Sequence, residues 1–221
     1  MNRAAMPSPT AARPAIPYPS PAGWNHLAQR GLLALLMVLL VPLASCSGPV
    51  EEPPLAGAAI GGDFTLTDKA GRIVHYHDFA GKWRIVYFGY SFCPDVCPLD
   101  LQHLMQGYHA FARGNPALAK NVQPIFVTID PERDTPQKVG EYAANFGPEL
   151  LGLAGTPAQI AGAAGAWKVY YARRDGNTPG SYLMDHSRAA YLMDRAGKPV
   201  ALLPSDKDGP AVAAELARWV R

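Results

Sequence analysis

The stretch from Trp83 to Pro98 reads Trp-Arg-Ile-Val-Tyr-Phe-Gly-Tyr-Ser-Phe-Cys93-Pro-Asp-Val-Cys97-Pro. Its first half is a nearly continuous apolar run, which is typical of a central strand that is buried on both faces. Pro98 suits the first position of a helix, and apolar residues follow it at helical spacing. The sequence therefore predicts a buried strand that leads directly into a helix, with two cysteines at the junction.

The two cysteines at this junction indicate redox or metal chemistry. The free N–H groups and partial positive charge of a helix N-terminus favour thiolate over thiol. The Cys-x-x-x-Cys spacing of Cys93 and Cys97 lets both sulfurs meet, either as a disulfide or across one metal ion. Ordinary buried cysteines are the alternative, but two Cys-Pro steps fit a core poorly. The spacing alone does not choose between a redox pair and a metal site.

A metal held by two thiolates needs a third ligand, and an added imidazole suits copper. His186 stands in a predicted loop just before a strand, where it could reach a strand–helix loop. His75 and His77 alternate with a tyrosine on one side of an early strand and form the rival pair. His103 and His109 follow the cysteines on the predicted helix, and we expect them to face solvent.

Predicted strands and helices alternate along the rest of the chain. A short hairpin (64–67 and 72–76) comes first, and Thr135 is a candidate N-cap for a later helix. The strands predicted after the cysteines are 122–129, 150–153, 188–193 and 199–203, and the helices are 135–146, 156–167 and 210–220. This order predicts an α/β domain with a central, largely parallel sheet flanked by helices.

Composition excludes several classes of protein. The chain has 221 residues, of which 48% are hydrophobic, and this argues against wholesale disorder. Three cysteines cannot form a disulfide scaffold, because one is always left over. Residues 1–45 hold three of the 20 basic residues and no acidic one, which leaves 17 basic against 18 acidic residues downstream. A body without excess positive charge argues against nucleic-acid binding.

The N-terminal segment predicts export and a lipid anchor. Residues 1–30 are rich in proline and alanine, a composition typical of disorder. The apolar run 31–45 is shorter than the ~20 residues of a membrane span but fits the core of a signal peptide. Leu43-Ala-Ser-Cys46 looks like a bacterial lipobox, the alternative being a signal anchor with an incidental cysteine.

These features predict three parts of the chain. Residues 1–45 are a lipoprotein-type signal peptide that is cleaved, 46–61 are a flexible tether, and 62–221 are the folded domain. We expect Cys46 to carry the lipid, and the protein to be anchored to a bacterial membrane of the cell envelope with its domain in the periplasm.

Most of residues 62–221 resemble the Sco (SenC/PrrC) family of copper proteins, which have a thioredoxin-like fold. The motifs occur in the order of the family and with plausible spacing. They are Phe88-Gly-Tyr-Ser-Phe-Cys-Pro-Asp-Val-Cys-Pro98, Val127-Thr-Ile-Asp-Pro-Glu-Arg-Asp-Thr-Pro136, Asp185-His-Ser187 and Tyr191-Leu-Met-Asp194. Since the copper ligands of the family are the two cysteines of the first motif and the histidine of Asp-His-Ser, the resemblance implies Cys93, Cys97 and His186.

The resemblance also implies a function. Members of the family are membrane-tethered and help to build the binuclear copper centre of cytochrome c oxidase subunit II. We therefore expect a monomeric copper chaperone whose partner is that subunit or another copper-receiving protein. Asp185 and Asp130 are candidates to orient the histidine, although Asp130 could equally turn the segment that follows it.

Other functions remain open. The main alternative is a thiol–disulfide oxidoreductase that reduces the cysteines of the copper-receiving partner, with Cys93 as the attacking thiol and Cys97 as the resolving thiol. Three residues separate the cysteines where thioredoxin has two, which weighs against efficient exchange of that kind. A peroxide-reducing enzyme of the same fold and a binding module without chemistry are weaker alternatives.

Overall fold

The computed structural model describes residues 51–221. The predicted signal peptide and Cys46 lie outside these residues. In the part described, none of the helices has the length and apolar character needed to cross a membrane.

Nine strands and five α-helices make up the described chain. The strands are β1 (Thr65–Thr67), β2 (Ile73–His75), β3 (Trp83–Gly89), β4 (Val122–Thr128), β5 (Leu151–Leu153), β6 (Tyr171–Asp175), β7 (Tyr182–His186), β8 (Ala190–Met193) and β9 (Pro199–Leu203). The helices are α1 (Val96–Gly114), α2 (Pro116–Ala119), α3 (Pro136–Ala144), α4 (Pro157–Ala166) and α5 (Gly209–Trp219), and a 3₁₀ helix spans Tyr76–Phe79.

The central sheet has five strands in the order β5-β4-β3-β8-β9. Strands β3, β4 and β5 are parallel, whereas β8 runs antiparallel to β3 and β9 antiparallel to β8. The sheet is thus mixed: four of its five strands run in one direction, as predicted, and β8 is reversed because the predicted C-terminal hairpin joins the sheet directly. All residues of β3 are buried, as its apolar run predicts for a central strand.

Helices cover this sheet and begin where the sequence provides caps. Thr135 accepts a hydrogen bond from the Lys138 N–H, which confirms it as the N-cap of α3. Thr156 and Gln159 form a reciprocal capping box at the start of α4. Helices α1 and α5 pack closely, since a Cβ at Gly107 would lie 2.5 Å from Val212.

The N-terminal hairpin of β1 and β2 is present, and Thr67 joins it to the main domain by pairing with Ala154 beyond β5. The segment before it is also held: the Leu55 N–H donates to the Val200 carbonyl at 3.0 Å, and the Gly61 N–H donates to Ala166 at 3.2 Å. The ordered contacts of the domain therefore begin before the predicted start at residue 62.

Two local expectations were wrong, and one hairpin was missed. Helix α1 begins at Val96, so Pro98 is its third residue, where a missing N–H still costs no helical hydrogen bond. Strand β2 ends at His75, and His77 lies in the 3₁₀ helix rather than on the strand. Strands β6 and β7 form an antiparallel hairpin that the sequence analysis missed, because charged residues interrupt its apolar pattern.

Candidate metal centre

The cysteine loop (residues 90–95) connects β3 to α1 and places the two thiols side by side. Cys93 lies in the loop, whereas Cys97 is the second residue of α1. The Cys97 N–H, one of the free donors of the first helical turn, points to the Cys93 Sγ at 3.4 Å. Gly89 makes room for this arrangement, because a Cβ there would lie 2.9 Å from the Cys97 Sγ.

His186 reaches the cysteines from the end of β7. It pairs with Tyr171 in the β6–β7 hairpin, so its placement in a loop by the sequence analysis was wrong. Its Nε2 lies 3.1 Å from the Cys97 Sγ. The ligand atoms of Cys93, Cys97 and His186 all lie within 4.8 Å of one another. In the described part of the chain, these three residues are the one such group of His, Cys, Asp or Glu side chains.

The imidazole of His186 is held with one nitrogen toward the thiols. Its Nδ1 lies 2.8 Å from the Ser187 carbonyl, to which it can only donate. This contact assigns the proton of the neutral ring to Nδ1 and leaves the lone pair of Nε2 for a ligand. The rings of Tyr87 and Tyr90 stand edge-on to the imidazole, with ring centroids 6.4 and 5.9 Å from its centroid. This packing restricts rotation of the imidazole.

The two thiols differ in exposure and in acidity. Cys97 is fully buried, whereas Cys93 is partly accessible. The hydrogen bond from the Cys97 thiol lowers the pKa of Cys93 well below that of a free thiol. The same hydrogen bond to the Cys93 thiolate, together with burial, raises the pKa of Cys97. The accessible Cys93 therefore loses its proton more readily than the buried Cys97.

Asp100, which the sequence analysis did not consider, is a fully buried carboxylate beneath the centre. It accepts a hydrogen bond from the Tyr87 hydroxyl at 2.8 Å, and from Arg188 at 3.0 and 2.6 Å. This pairing raises the pKa of Arg188. Asp100 follows Cys97 by three residues and lies on the same face of α1. A carboxylate on this otherwise apolar helix face was the signal that could have revealed Asp100 from sequence.

Asp134 is a second functional position that the sequence analysis missed. This buried carboxylate accepts a hydrogen bond from the Ser91 N–H at 2.9 Å and from the Thr128 hydroxyl at 2.5 Å. It also accepts a hydrogen bond from the Ser91 hydroxyl. Asp134 therefore fastens the cysteine loop to the end of β4, and its place in the motif after that strand was the available signal.

The two carboxylates predicted to orient His186 bind other side chains instead. Asp185 pairs with Arg174, whose Nε lies 3.1 Å from its Oδ2. Asp130 accepts the Tyr182 hydroxyl at 2.8 Å and pairs with Arg133 at 2.6 Å. Among the hydrogen bonds of the described residues, neither carboxylate contacts the imidazole. The orienting acceptor is instead the backbone carbonyl of Ser187, which sequence cannot distinguish from any other.

The other histidines of residues 51–221 lie away from the thiols. The rings of His75 and His77 stack at 4.9 Å and bond to Thr65 and Asp63, so this rival pair is not part of the cluster.

The two histidines of α1 are half-buried rather than facing solvent. His103 bonds to the Ser205 carbonyl at 2.8 Å, and His109 bonds to Glu149 at 3.2 Å.

The donor set fits a soft metal ion. Two sulfurs and one imidazole nitrogen, partly shielded from water, match the ligand preferences of copper, and thiolate also suits zinc. Because both cysteines are free thiols, the same pair can also form a disulfide after a modest movement.

Known proteins match most of the described chain. The family model described as SCO1/SenC matches residues 52–221. The SCO2-like protein of Rickettsia felis is 37% identical over 177 residues, which cover 76% of this chain and 80% of that protein. The mitochondrial SCO2 homolog of Bos taurus is 42% identical over 144 residues, which cover 65% and 53%. The chain spans about half the length of such mitochondrial relatives.

Solved structures agree with the sequence matches. The structure of Bradyrhizobium japonicum ScoI with copper bound has a TM-score of 0.65 and 39% sequence identity, and the match covers 73% of this chain and 99% of that one.

Proposed function

The chain belongs to the SCO1/SenC family and has the thioredoxin-like fold, and on this premise we propose that it binds copper and assists assembly of the binuclear copper centre of cytochrome c oxidase. The observation that carries the proposal is the convergence of Cys93, Cys97 and His186, whose ligand atoms lie within 4.8 Å of one another. The likeness to a relative of known structure that holds copper supports it.

In this proposal each of the three side chains supplies one ligand to the copper ion. Cys93 and Cys97 supply two thiolates, and the Nε2 of His186 supplies a neutral nitrogen. Three such ligands suit Cu(I), and Cu(II) would take one further oxygen ligand. Ser187 keeps the imidazole in the required tautomer, and the two tyrosine rings hold its plane.

Release of copper is linked to the redox state of the cysteine pair. Formation of a Cys93–Cys97 disulfide removes two electrons and two thiolate ligands together, leaving His186 as the remaining ligand of the three. Copper affinity therefore falls when an oxidant accepts those electrons.

We further propose that the protein is exported and acts as a monomer at a membrane. The lipobox-like sequence ending at Cys46 supports a lipid anchor on a bacterial membrane, with the domain in the periplasm. The copper-receiving partner is then subunit II of the oxidase or another exported copper protein.

Deletion of the gene tests the proposal. Oxidase activity should fall in the deletion strain and recover on addition of copper or of the wild-type gene. The His186→Ala gene should fail to restore activity at low copper, whereas the His103→Ala gene should restore it. Normal oxidase activity in the deletion strain at low copper would refute the proposal.

Thiol–disulfide exchange is a second candidate, favoured by the asymmetry of the two thiols. The accessible Cys93 thiolate would attack a disulfide of the partner to form a mixed disulfide and release one partner thiolate. The buried Cys97 would then attack Cys93, releasing the second partner thiolate and leaving a Cys93–Cys97 disulfide. The partner gains two electrons, and an external dithiol must reduce the Cys93–Cys97 disulfide again.

The two candidates differ in their need for His186 and for copper. If exchange is the function, the His186→Ala gene should restore the oxidase, and added copper should not. The cysteines of subunit II would then accumulate as a disulfide in the deletion strain, which thiol labelling of that subunit measures.

A further inference from the structure

The described domain has two chemically different ends. The cysteine loop follows the last residue of β3, Gly89. Strands β3, β4 and β9 run in the same direction and begin at the other end of the sheet, at Trp83, Val122 and Pro199. Since β3 has 7 residues, and a strand rises about 3.3 Å per residue, roughly 23 Å separate the two ends. We name the end where these strands begin the basal face.

The basal face carries a cluster of cations. Each member precedes a strand that begins there, lies in the turn between β8 and β9, or lies near the last turn of a helix that ends there. The members are Lys82, Arg113, Lys120, Arg195, Lys198 and Arg218, all exposed except the half-buried Lys82. Backbone hydrogen bonds bring their segments together: the Trp83 N–H donates to Asn121 at 2.8 Å, and the Gly81 N–H donates to Arg195 at 3.0 Å.

Carboxylates near this face neutralise only part of its charge. Glu51 and Glu215 both pair with Arg218. Asp194 is occupied inside its turn, where its Oδ1 accepts the N–H groups of Ala196 and Lys198 at 2.8 and 2.7 Å. Two further exposed carboxylates lie near this face: Glu52 on the segment that joins it, and Glu149 in the cavity that Lys82 and Lys120 also line. The cations therefore outnumber the acids.

The opposite end carries more carboxylates, although cations lie among them: Glu132 pairs with Arg173, and Lys207 lies between Asp206 and Asp208. Asp95 lies in the cysteine loop and Glu132 follows the end of β4, and both are exposed. Asp206 and Asp208 are exposed beyond the end of β9. The distribution gives the nearly neutral domain a positive basal face and a more acidic metal end.

The N-terminal segment joins the domain at the basal face. Glu51 pairs with Arg218 near the end of α5, and the Leu55 N–H donates to Val200 at the start of β9. Five residues lead from Cys46 to Glu51, and a fully extended chain of that length reaches at most about 18 Å. A lipid on Cys46 would hold the basal face, rather than the metal end, close to the bilayer.

We propose that the basal face docks on the anionic headgroups of the membrane that holds the anchor, which presents the metal centre outward to the partner. The inference rests on the proposed lipid at Cys46 and adds a binding surface to it. Lysine and arginine side chains near an anionic surface are attracted within a screening length, whereas the acidic metal end is repelled.

Amide hydrogen exchange of the full chain on vesicles tests this surface. The chain is reconstituted in phosphatidylcholine vesicles, either pure or with about 30% phosphatidylglycerol. The variant is the triple substitution Lys120→Glu/Arg195→Glu/Lys198→Glu. The matched control has the same charge change away from the basal face, Lys138→Glu/Arg174→Glu/Lys207→Glu. Inorganic phosphate with neutral vesicles separates a bilayer surface from a simple anion site.

We expect anionic vesicles to slow exchange in residues 113–121 and 194–198 about tenfold relative to neutral vesicles. The protection should disappear in the basal triple variant and at about 1 M salt, where the screening length is about 3 Å. It should persist in the control variant.

The proposal would be overturned if residues 113–121 and 194–198 exchange equally fast on both kinds of vesicle, or if both triple variants lose the protection equally. It would also be overturned if phosphate with neutral vesicles gives the same protection as anionic vesicles. Retention on neutral vesicles tests the anchor separately. A wild-type chain that is washed off neutral vesicles, yet is protected on anionic ones, would refute the lipid at Cys46 and leave the basal face supported.

Discussion

The Cys97 Sγ and the His186 Nε2 lie 3.1 Å apart, although 89 residues separate them in the chain. One comes from the first turn of α1 and the other from the last residue of β7. The contact joins two parts of the fold that are distant in sequence, a strand–helix junction and a peripheral hairpin. The metal centre is thus a product of the tertiary structure and needs both parts in place.

Gly89→Ala should disturb the centre without changing a ligand. The added methyl would lie 2.9 Å from the Cys97 Sγ and 3.0 Å from the Tyr87 ring, in a region where every neighbour is buried. We expect the free energy of unfolding to fall by about 1–3 kcal/mol, as for other overpacked cores, and copper affinity to fall with it. Urea denaturation and copper titration measure the two effects.

Gly162→Ala is the matched control, because its added methyl meets open space on α4. We expect this variant to be more stable by about 0.5–1 kcal/mol, with unchanged copper affinity. Equal stability and affinity of Gly89→Ala and the wild type would show that the close approach of Cys97 to β3 is unimportant.

Asp100→Asn should destabilise the domain beneath the centre. The neutral amide keeps the shape but leaves the guanidinium of Arg188 without its charged partner and forces one N–H toward a donor. We expect a loss of about 1–3 kcal/mol in the free energy of unfolding, measured by urea denaturation. The exposed Asp206→Asn should change it by less than about 0.5 kcal/mol. Similar values for both variants would contradict the role of the buried carboxylate.

Alkylation of the metal-free, reduced protein should distinguish the two thiols. The neighbouring Cys97 side chain lowers the pKa of Cys93. The Cys93 thiolate therefore persists at pH values below those at which a free cysteine is protonated. Iodoacetamide should therefore label Cys93 before Cys97, with a rate midpoint at a lower pH than that of a free cysteine. In Cys97→Ala this midpoint should rise. Mass spectrometry of peptides measures both, and preferential labelling of Cys97 would contradict the assignment.

Local features of the domain were predictable from sequence. The apolar run 83–89 and the Thr-Pro steps at 135 and 156 encode a strand and two helix starts through short-range physics, and each was found. Cys93 and Cys97 share one junction for the same reason. The position of their neighbour His186 needed the resemblance to a family, because nothing near it in the sequence shows that a hairpin carries it there.

Long-range partners were not predictable. Asp185 is next to His186 in sequence, but strand alternation turns adjacent side chains to opposite faces, and Asp185 pairs with Arg174 across the hairpin. Asp100 meets Arg188 only because α1 and the segment before β8 come together. Strand β7 is short, and its sequence Tyr-Leu-Met-Asp-His has no regular alternation of apolar and polar residues, so periodicity alone cannot separate it from a loop.

Copper titration of His186→Ala beside His103→Ala tests the central claim most directly. Both substitutions remove one half-buried histidine that makes a hydrogen bond, but His103 bonds only to the Ser205 carbonyl among the described residues. We predict that His186→Ala lowers copper affinity by about 100-fold or more and changes the copper absorption spectrum, since it removes a ligand. His103→Ala should bind copper like the wild type. Unchanged affinity and spectrum in His186→Ala would contradict the three-ligand centre.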